Sequence, residues 1–211
     1  MVKTWNLDDV SWMALEAPYT FYLPSPQLIA QLRLGDVVKL IFRCPVENDR
    51  NWSAERMWVE IVQISGNEFR GKLKNTPNYI PDLSFDQELV FSPQHIIQTQ
   101  REDPVPHLAG RYAKKCFVTN RVLNDKMAVD YLSHEEIDEA GKSHDFSGWT
   151  LCAGDETDEY LDNEDNWHFV SLGLILNQDD RFRCLLDTPE SKGKQFQWDV
   201  SLKSYQEIID Q

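Results

Sequence analysis

The sequence predicts an α+β protein of two small domains: a curled antiparallel sheet with short helices over about residues 1–100, then a mixed α+β domain over about 106–211. Three observations predict it. Residues 56–74 alternate apolar and polar side chains on both sides of Gly66-Asn67, the pattern of two half-buried strands joined by a turn. Residues 101–107 combine charge with Pro104 and Pro106 and show no periodicity, which marks a boundary. The charge is also uneven: residues 1–100 carry 9 basic and 12 acidic side chains, net −3, whereas 101–211 carry 12 and 23, net −11. At about 150 residues per domain, 211 residues allow one or two domains, each able to bury a core.

The elements follow in order. Residues 1–24 hold Trp5, Trp12, Tyr19, Phe21 and Tyr22, too aromatic for a loose tail, and are expected to pack on the first domain. Ser25-Pro26 reads as an N-cap and first helical residue, opening a helix to about Leu32. Val37–Phe42 is a compact apolar strand, and Cys44–Ala54 a polar loop. Arg56–Ile64 and Glu68–Lys74 form a hairpin, a strand near Glu88–Phe91 follows, and Ser92-Pro93 has the form of a second helix start.

Beyond the boundary, Cys116–Thr119 and Met127–Leu132 read as strands around an Asn124-Asp125 turn. Residues 133–147 are polar and read as looped or partly helical. Gly148–Ala153 is a strand, Gln195–Asp199 a late strand, and Trp167–Leu176 an apolar stretch compatible with a strand then a helix, which periodicity does not separate over so few residues. Leu202–Ile209 reads as a terminal helix. No internal repeat is visible.

Composition narrows function. A net charge of −14 repels the phosphates of DNA and RNA and suits a protein whose partner is basic. No apolar run approaches the roughly 18 residues of a membrane span. The start has no apolar segment of a secretory leader, so the expected compartment is the cytoplasm. Cys44, Cys116, Cys152 and Cys184 make no Cys-x-x-Cys pair and read as buried thiols. His95, His107, His134, His144 and His168 form no metal motif, and His134 and His144 read as exposed beside acids. Neither a nucleophile elbow nor a phosphate-cradling glycine loop occurs. The sequence thus contains no recognisable enzyme, cofactor site or metal site. Around Trp58, Glu55–Glu60 reads either as a core strand with Trp58 inside or as a ligand groove with Trp58 as its platform.

One segment stands out. From Asp155 to Asp165 there are seven carboxylates in eleven residues and no base, bracketed by Trp149, Tyr160 and Trp167. Calcium would need alternate ligands and a glycine at the sixth position of its loop, and no frame supplies both. A solvated acidic face and a surface that grips a basic partner both fit the residues.

Residues 116–199 resemble a bacterial family classed among the immunity proteins of polymorphic toxin systems, immunity protein family thirty-three. The pieces that match are Cys116–Leu123, Ser147-Gly148-Trp149, Ala153–Tyr160, Asp162-Asn163 and Leu185-Leu186-Asp187, in that order. Ile137–His144 looks like an insertion, Trp167-His168 replaces smaller residues, and Ser191-Lys192 lengthens the last loop. Residues 33–97 resemble a second bacterial family, a domain of unknown function, through Gly35–Leu40, Glu55–Val59, Gly71-x-Leu73-x-Asn75-x-Pro77 and Ser92-Pro93-x-His95-Ile96.

The first resemblance implies a non-enzymatic, cytoplasmic antidote that binds and occludes a cognate protein toxin, while charge, hydropathy and motifs give no expectation of nucleic acid, membrane or cofactor. Joined to the charge, it implies a basic toxin. The contact surface expected is Trp149, Asp155, Glu156, Asp158, Glu159, Asp162, Glu164, Asp165 and Trp167, with 137–144 as a rival. The alternative is a housekeeping ligand-binding or regulatory protein. Oligomeric state is left open.

Overall fold

A computed structural model of the chain describes residues 4–44, 53–136 and 145–209. It divides into two compact units: Met1–Glu16 with Phe21–His107, and Ala17–Thr20 with Leu108–Gln211. The aromatic first stretch is therefore shared, not packed on the first unit alone. Trp5 is buried in the first core with its ring 5.3 Å from Phe42, whereas Tyr19 is buried in the second, 5.6 Å from Tyr112.

The first unit opens with β1 (Asn6–Leu7), α1 (Ser11–Glu16) and α2 (Pro26–Ala30). Ser25 caps α2 through its hydroxyl, which accepts from the Leu28 amide, and Pro26 supplies the first helical position. Then come β2 (Val37–Arg43), β3 (Ala54–Ser65), β4 (Glu68–Leu73), β5 (Glu88–Phe91) and β6 (Ile96–Thr99). The sheet is antiparallel in the order β1-β2-β3-β4-β5, and β6 pairs with β2 beside Val38–Leu40, leaving Phe42 and Arg43 to β1. Register shifts in the β2–β6 and β3–β4 ladders bend the sheet into a half-barrel. Val38, Leu40, Phe42, Met57, Val59 and Phe91 fill its inside.

Two expectations change here. Ser92-Pro93 opens only a single turn, Pro93–His95, because the β-branched Ile96-Ile97 pair continues as a strand. On β3 the inward set is Glu55, Met57, Val59 and Ile61, so Trp58 faces the other way, half-buried, with the Lys39 ammonium 4.3 Å from its ring centre. Glu55 is tolerated inside because it accepts from the amides of Asn78 and Tyr79. The expected 44–54 loop falls mostly outside the described residues.

The second unit contains α3 (Leu108–Arg111), β7 (Lys115–Thr119), α4 (Asn120–Leu123), β8 (Tyr131–His134), β9 (Phe146–Cys152), α5 (Asp158–Leu161), β10 (Trp167–Ser171), α6 (Leu172–Leu176), α7 (Arg183–Leu186), β11 (Gln195–Asp199) and β12 (Ser204–Ile208). Its sheet runs β10-β7-β9-β8-β11-β12, with β7 and β9 parallel and the other neighbours antiparallel. The chain is thus α+β, with an antiparallel first sheet and a mixed second one. One face of the second sheet buries Cys116, Val118, Leu132, Trp149, Leu151 and Phe196 together with Val122 of α4 and Ile175 and Leu176 of α6.

The predicted helix at Leu202–Ile209 is the strand β12. Its apolar residues have helical spacing, but Leu202 and Ile209 are exposed and bury nothing. The Asp199 carboxylate accepts from the amides of Ser201 and Leu202, turning the chain back along β11. Likewise the strand expected at Met127–Leu132 begins only at Tyr131, and β7 is followed directly by α4. The 137–144 insertion lies outside the described residues.

Candidate partner-binding surface

The acidic segment leaves the C-terminal end of β9, beside the parallel β7, and returns as β10. Its carboxylates fall into three groups. Glu156 turns back on the chain: it accepts from the Thr119 hydroxyl at 2.7 Å and from the amides of Ala153 and Gly154 at 2.8 and 2.7 Å. Burial alone would raise its pKa, but these donors outweigh it and hold the carboxyl below its ordinary range. Asp155 pairs with Arg121 at 2.9 Å.

The third group is Asp158, Glu159, Asp162, Glu164 and Asp165, all exposed and, among the described residues, without an ion pair. Asp158 and Glu159 occupy the first turn of α5, whose N-cap Thr157 accepts from the Tyr160 amide. Asn163 accepts from the Asp165 amide, Asn166 donates to the Tyr160 carbonyl, and Trp167 donates its indole N–H to the Leu161 carbonyl. The carboxylates therefore sit on a segment tied by its own neutral side chains. Their charge is left to solvent or a partner.

Trp149, expected on the contact surface, is buried in the structure. It lies on the inward face of β9, 4% exposed, edge-on to His134 at 4.9 Å. It is a core residue, as its neighbour's geometry confirms. Gly148 has φ +90°, and its missing side chain leaves room for the His134 imidazole. His134 is itself buried, contrary to expectation, with Nδ1 accepting from the Gly193 amide, so the ring proton sits on Nε2. Burial, then the Lys192 charge, lowers its pKa. Within the Ser147-Gly148-Trp149 and Gly154-Asp155-Glu156 signatures, Gly148, Trp149 and Glu156 are engaged inside the unit, whereas Asp155 stays exposed beside Arg121.

Of the cysteines, Cys44, Cys116 and Cys152 are buried, and burial pushes the Cys116 and Cys152 thiols up to about 12. Cys184 is exposed, against expectation. Among the described residues no three His, Cys, Asp or Glu side chains converge as metal ligands.

The sequence reading missed an aromatic patch. On the face of the second sheet opposite the helices, Phe117 of β7 and Phe169 of β10 are paired in register, with ring centres 5.0 Å apart. They are 42% and 38% exposed. Phe146 packs beneath both. In Cys116-Phe117-Val118 all three residues are apolar, so the sequence does not say which side of the strand faces out.

Fold and surface together give the second unit two layers, a sheet and its helices, with an open sheet face and an acidic shoulder. Comparison with known families agrees on this unit: residues 116–207 match the model of the Immunity protein Imm33 domain. The match ends within β12 and supports an immunity function in general, with a toxin as partner. No curated protein matches the chain, and no solved structure does.

Proposed function

We propose that the protein is a non-enzymatic, cytoplasmic immunity protein that binds a cognate toxin and occludes it through the acidic shoulder of its second unit. The observation that carries this reading is the set of five exposed carboxylates, Asp158, Glu159, Asp162, Glu164 and Asp165, without ion pairs among the described residues, within the Imm33 stretch. Opposite charge concentrated on one surface accelerates encounter and selects a basic partner. Trp167, on the same segment, supplies an aromatic edge to the contact. Glu156 and Trp149 hold the surface in shape instead of touching the toxin. Asp155 is shared with Arg121.

Affinity capture of the tagged protein from cells expressing its neighbouring genes tests this. The expected result is one near-stoichiometric basic protein, bound at low salt and depleted as salt rises. Reproducible absence of a partner would instead favour the ligand-binding alternative. In that case the place to look is not Trp58 but a groove of about 480 Å³ in the first unit, lined by Leu23, Pro26, Ile29, Ile64, Phe69 and Ile96.

A further inference from the structure

We propose that the open face of the second sheet, centred on Phe117 and Phe169, is the apolar centre of a docking site for a basic protein surface. The inference rests on the immunity reading above for the identity of that partner, the toxin.

A sheet face left to water ordinarily carries polar side chains. Most of this face does: across from Phe117 run Thr150 of β9, Ser133 of β8 and Gln195 of β11. At the β7–β10 end the rule breaks. Phe117 and Phe169 stand side by side, and Phe146 props them at 5.4 and 6.0 Å. Rings held by ring contacts have little freedom left to lose, so a partner meeting them gains contact at small entropic expense. Paired, pre-ordered aromatics surrounded by polar groups are the anatomy of an interface centre and its rim.

The rim has a direction. In register, Trp167 pairs with Thr119, Phe169 with Phe117, and Ser171 with Lys115. Trp167 is bonded to the end of α5 and so joins the ring pair to the acidic shoulder. Lys115 lies at the opposite end, its ammonium 5.3 Å from the Phe169 ring centre. The patch therefore grades from strongly negative to mildly positive along the strands, which orients whatever docks. A second copy of this chain would bring together two surfaces from a region of net −11, and nucleic acid would add phosphates. The fitting occupant is a protein surface that presents an apolar or aromatic tip among lysines or arginines.

Two labelled peptides of equal charge, (Lys-Trp)3-Lys and (Lys-Ser)3-Lys, serve as probes in fluorescence anisotropy at low salt. The intact protein is expected to bind the tryptophan peptide about tenfold more tightly. In Phe117→Thr/Phe169→Thr that preference should fall to about twofold or less, with the serine peptide unchanged. Asp158→Asn/Asp162→Asn should weaken both peptides alike. Equal binding of the peptides by the intact protein, or a preference that survives the double threonine variant, would overturn the docking face. Should that variant misfold by circular dichroism, the ring-proton shifts of Phe117 and Phe169 in the unaltered protein decide. They should move on adding the tryptophan peptide, and stationary shifts would overturn the proposal. An empty toxin capture with the peptide preference intact removes only the immunity reading; a toxin in hand without the preference removes only the docking face.

Discussion

Gly148→Ala is expected to destabilise the second unit by about 2–6 kcal/mol. Two terms add. Holding a non-glycine residue at φ +90° costs about 1–3 kcal/mol. A Cβ placed there would lie 2.6 Å from His134 Nε2 and 2.8 Å from the Glu135 carbonyl oxygen, and forcing such overlap costs about 1–3 kcal/mol more. Neither neighbour can retreat cheaply. The imidazole is fixed by the Gly193 amide on one side and the Trp149 edge on the other. The Glu135 amide donates to the Gly148 carbonyl, which locks the two backbones together. Against a total stability of about 5–15 kcal/mol this is a large loss. Urea denaturation followed by near-ultraviolet circular dichroism measures it, and a shift below about 1 kcal/mol would show that the strain is not there.

The second large effect separates scaffold from surface within the acidic segment. Glu156→Ala removes three charge-assisted bonds and leaves the buried Thr119 hydroxyl without its carboxylate acceptor. The expected cost is about 2–4 kcal/mol. Asp158→Ala, by contrast, touches an exposed residue without an ion pair among the described residues and should change stability by less than about 0.5 kcal/mol. The pH dependence follows from the direction of the shift. Because the folded Glu156 carboxyl has a pKa below its ordinary value, its contribution is complete above the unfolded pKa and is lost as pH falls through the folded one. That part of the acid sensitivity should be missing from Glu156→Ala. Equal stabilities for the Glu156 and Asp158 variants at neutral pH would contradict the division drawn here.

Much of the fold was legible because local chemistry decides it. Ser25-Pro26 caps α2 as its residue types predict, and Gly66-Asn67 turns the β3–β4 hairpin as its composition requires. The apolar Trp167–Leu176 stretch, open between strand and helix in the sequence, is a strand and then a helix. What was illegible depends on partners far away in the chain. The parallel pairing of β7 with β9 joins residues about thirty apart, and it determines that Phe117 and not Cys116 faces out. The core-strand reading of Trp58 was one residue out of phase because Met57, Trp58 and Val59 are all apolar. The inward face was marked instead by the buried Glu55, a residue type that pattern reading assigns to solvent.

The candidate surface shows the same divide. The exposed carboxylates were visible as composition. Whether a given acid is a cap, a pair or a free charge depends on hydrogen-bond geometry, as Glu156, Asp155 and Asp158 illustrate in turn. Trp149 was grouped with the acids by proximity in sequence, although strand alternation turns it inward. The aromatic pair is the converse, two residues 52 apart that only the β7–β10 ladder brings together.

The central claim is that the acidic shoulder draws in a basic toxin. The most direct measurement is the association rate with the captured toxin as a function of salt, for the intact protein and for Asp158→Lys/Asp162→Lys. Electrostatic steering predicts a rate for the intact protein that falls at least about tenfold between low and high salt. The reversed variant should be slower at low salt, with a shallower dependence on salt, and unchanged in stability. Superimposable rates and salt slopes for the two proteins would contradict the account and place the toxin elsewhere on the molecule.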